Sequence, residues 1–269
     1  MGWGSLGALV AALAAEPDEI TVEAPPQPPE LGQVVLEAEV LLGLPGSAGD
    51  AVRALQNLPG VGRTPLGLGQ LVIRGMGPED NRFSLDGLDV PLVFHFAGVT
   101  TLVPTLALRD VTFLPGGYGV RYGRSLGGRI DLRTSDVLPA GQGGRISLDA
   151  FQGSAWAEIR ASARTGVWVS LRRSWIDAVL TPLLSSGSVK RRFPRYYDGW
   201  LRVLHRVPGV GSFDAAVVVS DDAASTGLKE ATGEYRAVSQ YGLTFQRLRL
   251  RWQDAPSAAW DRKSTRLNS

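Results

Sequence analysis

Leu-Val-Ile-Arg-Gly (71–75), Leu-Asp-Gly-Leu (85–88), Phe-Leu-Pro-Gly-Gly-Tyr-Gly-Val-Arg-Tyr-Gly (113–123) and Gly-Gly-Arg-Ile-Asp-Leu-Arg-Thr (127–134) carry most of the structural information in this chain. Each joins a short apolar, strand-forming run to glycine, which permits tight turns and close backbone approach. The pattern predicts strands around Gln70–Arg74, Arg82–Leu85, Asp110–Leu114 and Arg129–Thr134, with Asp86-Gly87 as a tight hairpin turn. Upstream, Gly49-Asp50 opens a short helix with Ala51, Val52, Leu55 and Leu58 on one side. Asp50 is its N-cap and Pro59-Gly60 its stop. Together these elements make a mixed unit over residues 31–136.

Beyond a glycine-rich break at Gly141, Gly143 and Gly144 the periodicity changes to two. Ile146 and Leu148 alternate with Arg145 and Ser147. Ala157, Ile159, Ala161 and Ala163 alternate with Glu158, Arg160, Ser162 and Arg164. Further apolar rows follow: Val167, Val169, Leu171 and Trp175, then Tyr197, Leu201, Val203 and Val207, then Phe213, Ala215, Val217 and Val219. Over 241–252 the phase slips between Phe245 and Leu248, which predicts a bulge. Arg164–Gly166 and Pro208–Gly211 are tight connections, whereas Ile176–Tyr196 and Asp221–Glu234 are long. Short and long turns in alternation mark a transmembrane barrel, with Trp156, Trp168, Trp175, Tyr196, Tyr197 and Phe213 placed for an aromatic girdle. A soluble sandwich is the rival reading, since alternation alone does not distinguish lipid from core.

The four glycine-punctuated segments, in this order and spacing, resemble the plug domain of TonB-dependent outer-membrane receptors. The resemblance implies an α+β plug domain (31–136) followed by antiparallel β-strands of an incomplete transmembrane β-barrel (143–260), in the bacterial cell outer membrane. It implies that Arg74 of the Ile-Arg-Gly segment salt-bridges to barrel carboxylates, and that Gly75, Gly116, Gly117 and Gly123 serve plug–barrel packing. Glu19-Ile20-Thr21-Val22-Glu23 resembles a TonB box, which pairs by β-augmentation with a TonB-type energy-transducing periplasmic protein. The remaining implied partners are outer-membrane lipid and an extracellular small-molecule ligand such as an iron-siderophore complex, cobalamin or a glycan. No cofactor and no enzymatic activity are implied. A family barrel has about 22 strands, so roughly six strands imply a C-terminally truncated fragment.

The flanks fit that reading. Leu6 to Leu13 with Ala12-Leu13-Ala14 has the form of a signal peptide (1–15), although no Lys or Arg precedes the apolar core. Glu16–Glu30, rich in proline and acids, is an extended linker (16–30). The last nine residues, Asp261–Ser269, resemble a translated sequencing adapter and read as non-native read-through. They hold three of the 28 basic and one of the 26 acidic residues, so the remainder is balanced at 25 each and gives no argument for nucleic-acid binding. There is no cysteine and there are only two histidines, so thiol chemistry and multi-histidine metal sites are excluded.

Candidate chemistry is sparse. The outward plug loops Met76–Asn81 and Val93–Gly98 make Asn81, Phe94, His95 and Phe96 the candidate ligand contacts. Asp221-Asp222 and Lys190-Arg191-Arg192 read as solvated loop residues. Gly123-Arg124-Ser125-Leu126-Gly127 has the spacing of a nucleophile elbow, which leaves a secreted serine hydrolase using Ser125, with His205, as a distant rival. An outer-membrane ligand sensor with little transport is the other alternative.

Overall fold

The computed structural model describes residues 32–254 except 48, 64–69, 92, 96–97, 99, 121, 150, 176, 179–188 and 230–233. The first unit opens with β1 (Val34–Glu37) and α1 (Ala38–Gly43), which buries Ala38 and Leu41. The helix expected after Gly49-Asp50 is α2 (Ala51–Ala54), extended by one 3-10 turn at Leu55–Asn57. Asp50 Oδ1 caps it, accepting from the amides of Val52 at 2.9 Å and Arg53 at 3.1 Å. Ala51, Val52, Ala54 and Leu55 are wholly buried.

Eight short strands after β1 complete this unit among the described residues: β2 (Val61–Arg63), β3 (Leu71–Ile73), β4 (Arg82–Leu85), β5 (Leu88–Val90), β6 (Phe94–His95), β7 (Thr100–Thr101), β8 (Leu108–Leu114) and β9 (Arg129–Thr134). Five form the main sheet in the order β1-β8-β9-β4-β5, with β4 and β9 parallel and the other pairs antiparallel. Asp86 and Gly87 turn the β4–β5 hairpin with φ of 50° and 86°, the left-handed pair that a two-residue hairpin requires. Asp86 also reaches back to cap β9, accepting from Thr134 N at 2.8 Å and Thr134 Oγ1 at 2.7 Å. Leu71, Ile73, Leu85, Val111, Phe113, Ile130 and Leu132 fill the core.

The second unit is an antiparallel meander in chain order: β10 (Gln142–Leu148), β11 (Gln152–Ser162), β12 (Thr165–Ser174), β13 (Val189–Val207), β14 (Gly211–Lys229) and β15 (Tyr235–Asp254). Among the described residues β10 and β15 do not pair with each other, so the sheet is open. Its outer face carries Ile146, Leu148, Leu171, Leu201, Phe213, Val219, Leu248, Leu250 and Trp252, all exposed. Its inner face lies against the first unit, and Trp168, Trp200, Leu204, Val218 and Phe245 join the first unit's core. Trp156 and Trp200 stack there, ring centroids 6.0 Å apart.

Three expectations are corrected. First, no bulge occurs at Phe245–Leu248, and pairing with β14 is regular there. Phe245 faces inward and is buried against the first unit, while Leu248, Leu250 and Trp252 face outward, so the phase never slips. Second, Trp156, Trp168 and Tyr196 do not form an outer girdle, because they also face inward; Tyr197 and Phe213 are on the outer face. Third, the long connections are shorter than expected. β13, β14 and β15 run 19, 19 and 20 residues. About 9–11 residues suffice to cross a membrane, so these strands continue past any apolar band and take up residues that read as loop.

Candidate functional site

The functional geometry lies where the inner face of the meander meets the first unit, and it has two polar centres separated by the Trp168–Trp200–Val218 layer. Nearer the tight turns, Arg202 of β13 is 1% exposed. Its guanidinium donates to Asp214 Oδ1 at 3.2 Å and Oδ2 at 2.9 Å on β14, and to Asp136 at 2.5 Å. It also donates to Thr134 Oγ1 at 2.6 Å and to the Ser135 carbonyl at 2.8 Å. Arg249 and Arg251 of β15 converge on the same Asp214, and Arg249 reaches the Asp86 carbonyl. Arg202 thus ties two wall strands to the end of β9. Burial resists ionisation of Asp136, but the Arg202 guanidinium outweighs it and holds that carboxyl below the usual range.

Nearer the long connections, His95 of β6 is fully buried. Its Nδ1 lies 2.7 Å from Asp222 of β14 and its Nε2 lies 2.9 Å from Asp198 of β13. The ring stacks on Tyr196, centroids 4.2 Å apart and planes within 7°. Arg172 of β12 completes the group, donating to Asp198 at 3.0 Å, to Thr100 Oγ1 at 3.2 Å and to the Thr101 carbonyl. Asp50 Oδ2 accepts from Thr101 N and Oγ1 at 3.1 and 2.6 Å, so the α2 cap is joined to this hairpin. Burial drags the imidazole pKa down, but Asp198 and Asp222 together outweigh it and raise it.

The other sequence candidates fall out as follows. His95 is a structural contact between the two units. Phe94 is buried edge-to-face on Phe83, 5.7 Å between centroids, and so is core. Asn81 is buried and spent internally: its Nδ2 donates to the Leu71 carbonyl and its Oδ1 accepts from Gly128 N, both at 2.8 Å. That clamp between β3 and β9 leaves it turned away from solvent, a correction to its reading as a ligand contact. Phe96 and the box-like Glu19, Ile20, Thr21 and Val22 lie outside the described residues.

Arg74 is exposed, and among the described residues no carboxylate pairs with it. Its guanidinium lies beside Gly116, where a Cβ would come within 3.2 Å of Nη1. At Gly75 and Gly123 a Cβ would meet open space, and Gly75 and Gly117 take positive φ of 81° and 71°. Crowding is found instead at Gly128, where a Cβ would meet Ile73 at 2.4 Å, and at Gly127, where it would meet Asn81 Oδ1 at 2.5 Å. Asp222 is not a solvated loop residue: it is on β14, inward and buried, while Asp221 faces the other side and accepts from Thr244. The nucleophile-elbow geometry is not formed, because residues 123–127 are loop leading into β9 instead of a strand–turn–helix. Ser125 Oγ donates to backbone carbonyls of Asp80 and Gly128, and His205 pairs with Thr165.

A family model described as TonB-dependent Receptor Plug Domain matches residues 35–129. Residues 35–129 thus carry the plug domain of TonB-dependent outer-membrane receptors. The first unit is therefore the plug, the meander is barrel wall, and the compartment is the bacterial outer membrane. No curated protein matches the chain. Among solved structures, the ferripyoverdine receptor of Pseudomonas aeruginosa is similar with a TM-score of 0.52 at 11% identity, over 85% of this chain and 32% of its own. The copper transporter OprC gives 0.50 at 12% identity, over 82% and 43%. A ferric enterobactin receptor (PfeA) mutant of Pseudomonas aeruginosa gives 0.49 at 18% identity, over 72% and 33%. The chain thus spans a third to under half of the length of these receptors.

Proposed function

We propose that this chain supplies the plug and first wall strands of a receptor for energised uptake of a scarce nutrient. In this reading the box-like Glu19–Val22 segment pairs with a TonB-type periplasmic protein. The observation that carries the reading is the Arg202 centre, in which a buried wall guanidinium, held by Asp214, donates to Thr134, Ser135 and Asp136 at the end of the plug. Removing a buried charge that is tied in this way costs about 3–5 kcal/mol where its partner is left uncompensated. A plug fastened in this way does not move aside at thermal cost alone, so opening a path past it requires work from outside, which is the task of an energising partner.

Ferric siderophores are the first ligand class to assay, since the ferripyoverdine receptor shares this fold. The test measures surface binding and uptake of labelled ferric siderophores by outer-membrane-inserted receptor, with Ile20→Pro in the box as the uncoupled variant. Uptake lost with binding retained is the expected outcome, because proline removes a backbone donor that strand pairing needs. Uptake unaffected by that change and by removal of the energising partner would contradict the proposal.

A further inference from the structure

The way β6–β7 is fastened to the wall is chemically specific. Carboxylates accept hydrogen bonds and do not donate them, and a neutral imidazole offers one N–H. Yet both His95 nitrogens lie at hydrogen-bond distance from a carboxylate, Asp222 at 2.7 Å and Asp198 at 2.9 Å. With both carboxylates ionised, the ring satisfies both only as imidazolium. In that form two cations, His95 and Arg172, meet two carboxylates, Asp198 and Asp222. Loss of the ring proton leaves an uncompensated negative charge and a lone pair facing an anion, in a place closed to water.

The surroundings offer little substitute. Asp222 Oδ2 and Ser220 Oγ are already buried without a partner among the described residues. Tyr196 stacks on the ring from β13, Arg172 approaches from β12, Tyr241 lies near Asp222 from β15, and Asp50 faces Arg172 from the α2 cap. Asp149, in the β10–β11 turn, acts on Tyr196.

We propose that His95 is a proton-operated latch, which fastens the β6–β7 hairpin of the plug to β13 and β14 as imidazolium and releases it as neutral imidazole. The proposal rests on the plug reading above. The direction of its pH dependence follows from the raised pKa in the folded state. Fastening is complete below the ordinary histidine value of about 6.5 and is lost as pH rises through the raised one. One proton is involved, so the released fraction grows about tenfold per pH unit between the two values.

The test uses the chain reconstituted in lipid nanodiscs with His205→Gln, so that imidazole nitrogen signals come from His95 alone. Those signals and the amide exchange of residues 93–102, corrected for intrinsic rates, are followed from about pH 5 to about pH 9, the range that brackets histidine titration. Two protonated ring nitrogens at low pH are expected, with hairpin protection falling as the ring loses its proton. Asp222→Asn is expected to move both transitions to lower pH together. His95→Gln is expected to leave the hairpin unprotected at every pH while β8 and β9 stay protected. If His95→Gln fails to fold, the Asp222→Asn arm decides. Constant hairpin protection through ring titration, or a ring with one N–H throughout, would overturn the latch. A pH-insensitive hairpin in a receptor that still takes up its ligand defeats the latch alone. A pH-sensitive hairpin without energised uptake defeats the transport reading alone.

Discussion

Leu132 on β9 of the plug, between Asp131 and Arg133, and Leu250 on β15 of the wall, between Arg249 and Arg251, are both strand leucines flanked by charged residues, yet Leu132 is fully buried and Leu250 is 64% exposed. The difference extends along both sheets. Plug strands turn Val111, Phe113, Ile130 and Leu132 into the core and leave Arg109 and Arg133 half-exposed. Wall strands do the reverse, with Leu248, Leu250 and Trp252 outward and Asp214, Asp222 and Arg202 innermost. The same two-residue alternation therefore serves opposite solvents: the plug hides its apolar rows from water, and the wall presents them to lipid while its charged rows grip the plug.

Changes that invert one side of this contrast test it. The largest effect is expected from Arg202→Ala. It leaves Asp214 to Arg249 and Arg251 and strips Thr134, Ser135 and Asp136 of their wall partner, at about 3–5 kcal/mol. Urea unfolding in lipid measures it, with plug fluorescence transitions moving to lower denaturant. Next, Leu132→Ala should cost about 2–5 kcal/mol by leaving a cavity in the plug, whereas Leu250→Ala should cost less because lipid chains fill the space. Equal losses at the two sites would show that Leu250 faces packed protein. Val217→Arg, on the outer face opposite Leu201 and Leu248, should cost about 2–4 kcal/mol at the bilayer midplane. A negligible change in insertion yield would remove that strand from the lipid. The smallest effect is expected at Asp50→Ala, about 1 kcal/mol for the lost helix cap. It should appear as faster exchange of the Val52 and Arg53 amides and of Thr101, which shares the carboxylate.

What could be read from sequence follows the same divide. The Asp50 cap and the Asp86-Gly87 turn are legible because their partners lie within a few residues. The outward rows Val167–Leu171 and Phe213–Val219 are legible because alternation needs no knowledge of the partner. The inward rows are not. Arg202 reads as a polar wall residue, since its partners Thr134 and Asp136 are more than sixty residues away. Phe245 mimics a phase slip because one apolar residue on the inner row meets the plug core instead of charge. Asp222 reads as loop because polar strands that project past the membrane have no apolar row to mark them. His95 stands out in the sequence by its aromatic neighbours, but its two aspartates lie 103 and 127 residues downstream, and no local pattern reveals them.

The central claim is that β10–β15 form a wall with lipid on one side and the plug on the other. The chain has no cysteine, so single cysteines placed at each position from Phe213 to Ser220 and spin-labelled in lipid report each site alone. Oxygen accessibility should peak at 213, 215, 217 and 219 and fall at 214, 216, 218 and 220, with water-soluble relaxants low at the odd positions. Odd positions open to the water-soluble relaxant, or no two-residue oscillation at all, would contradict the account.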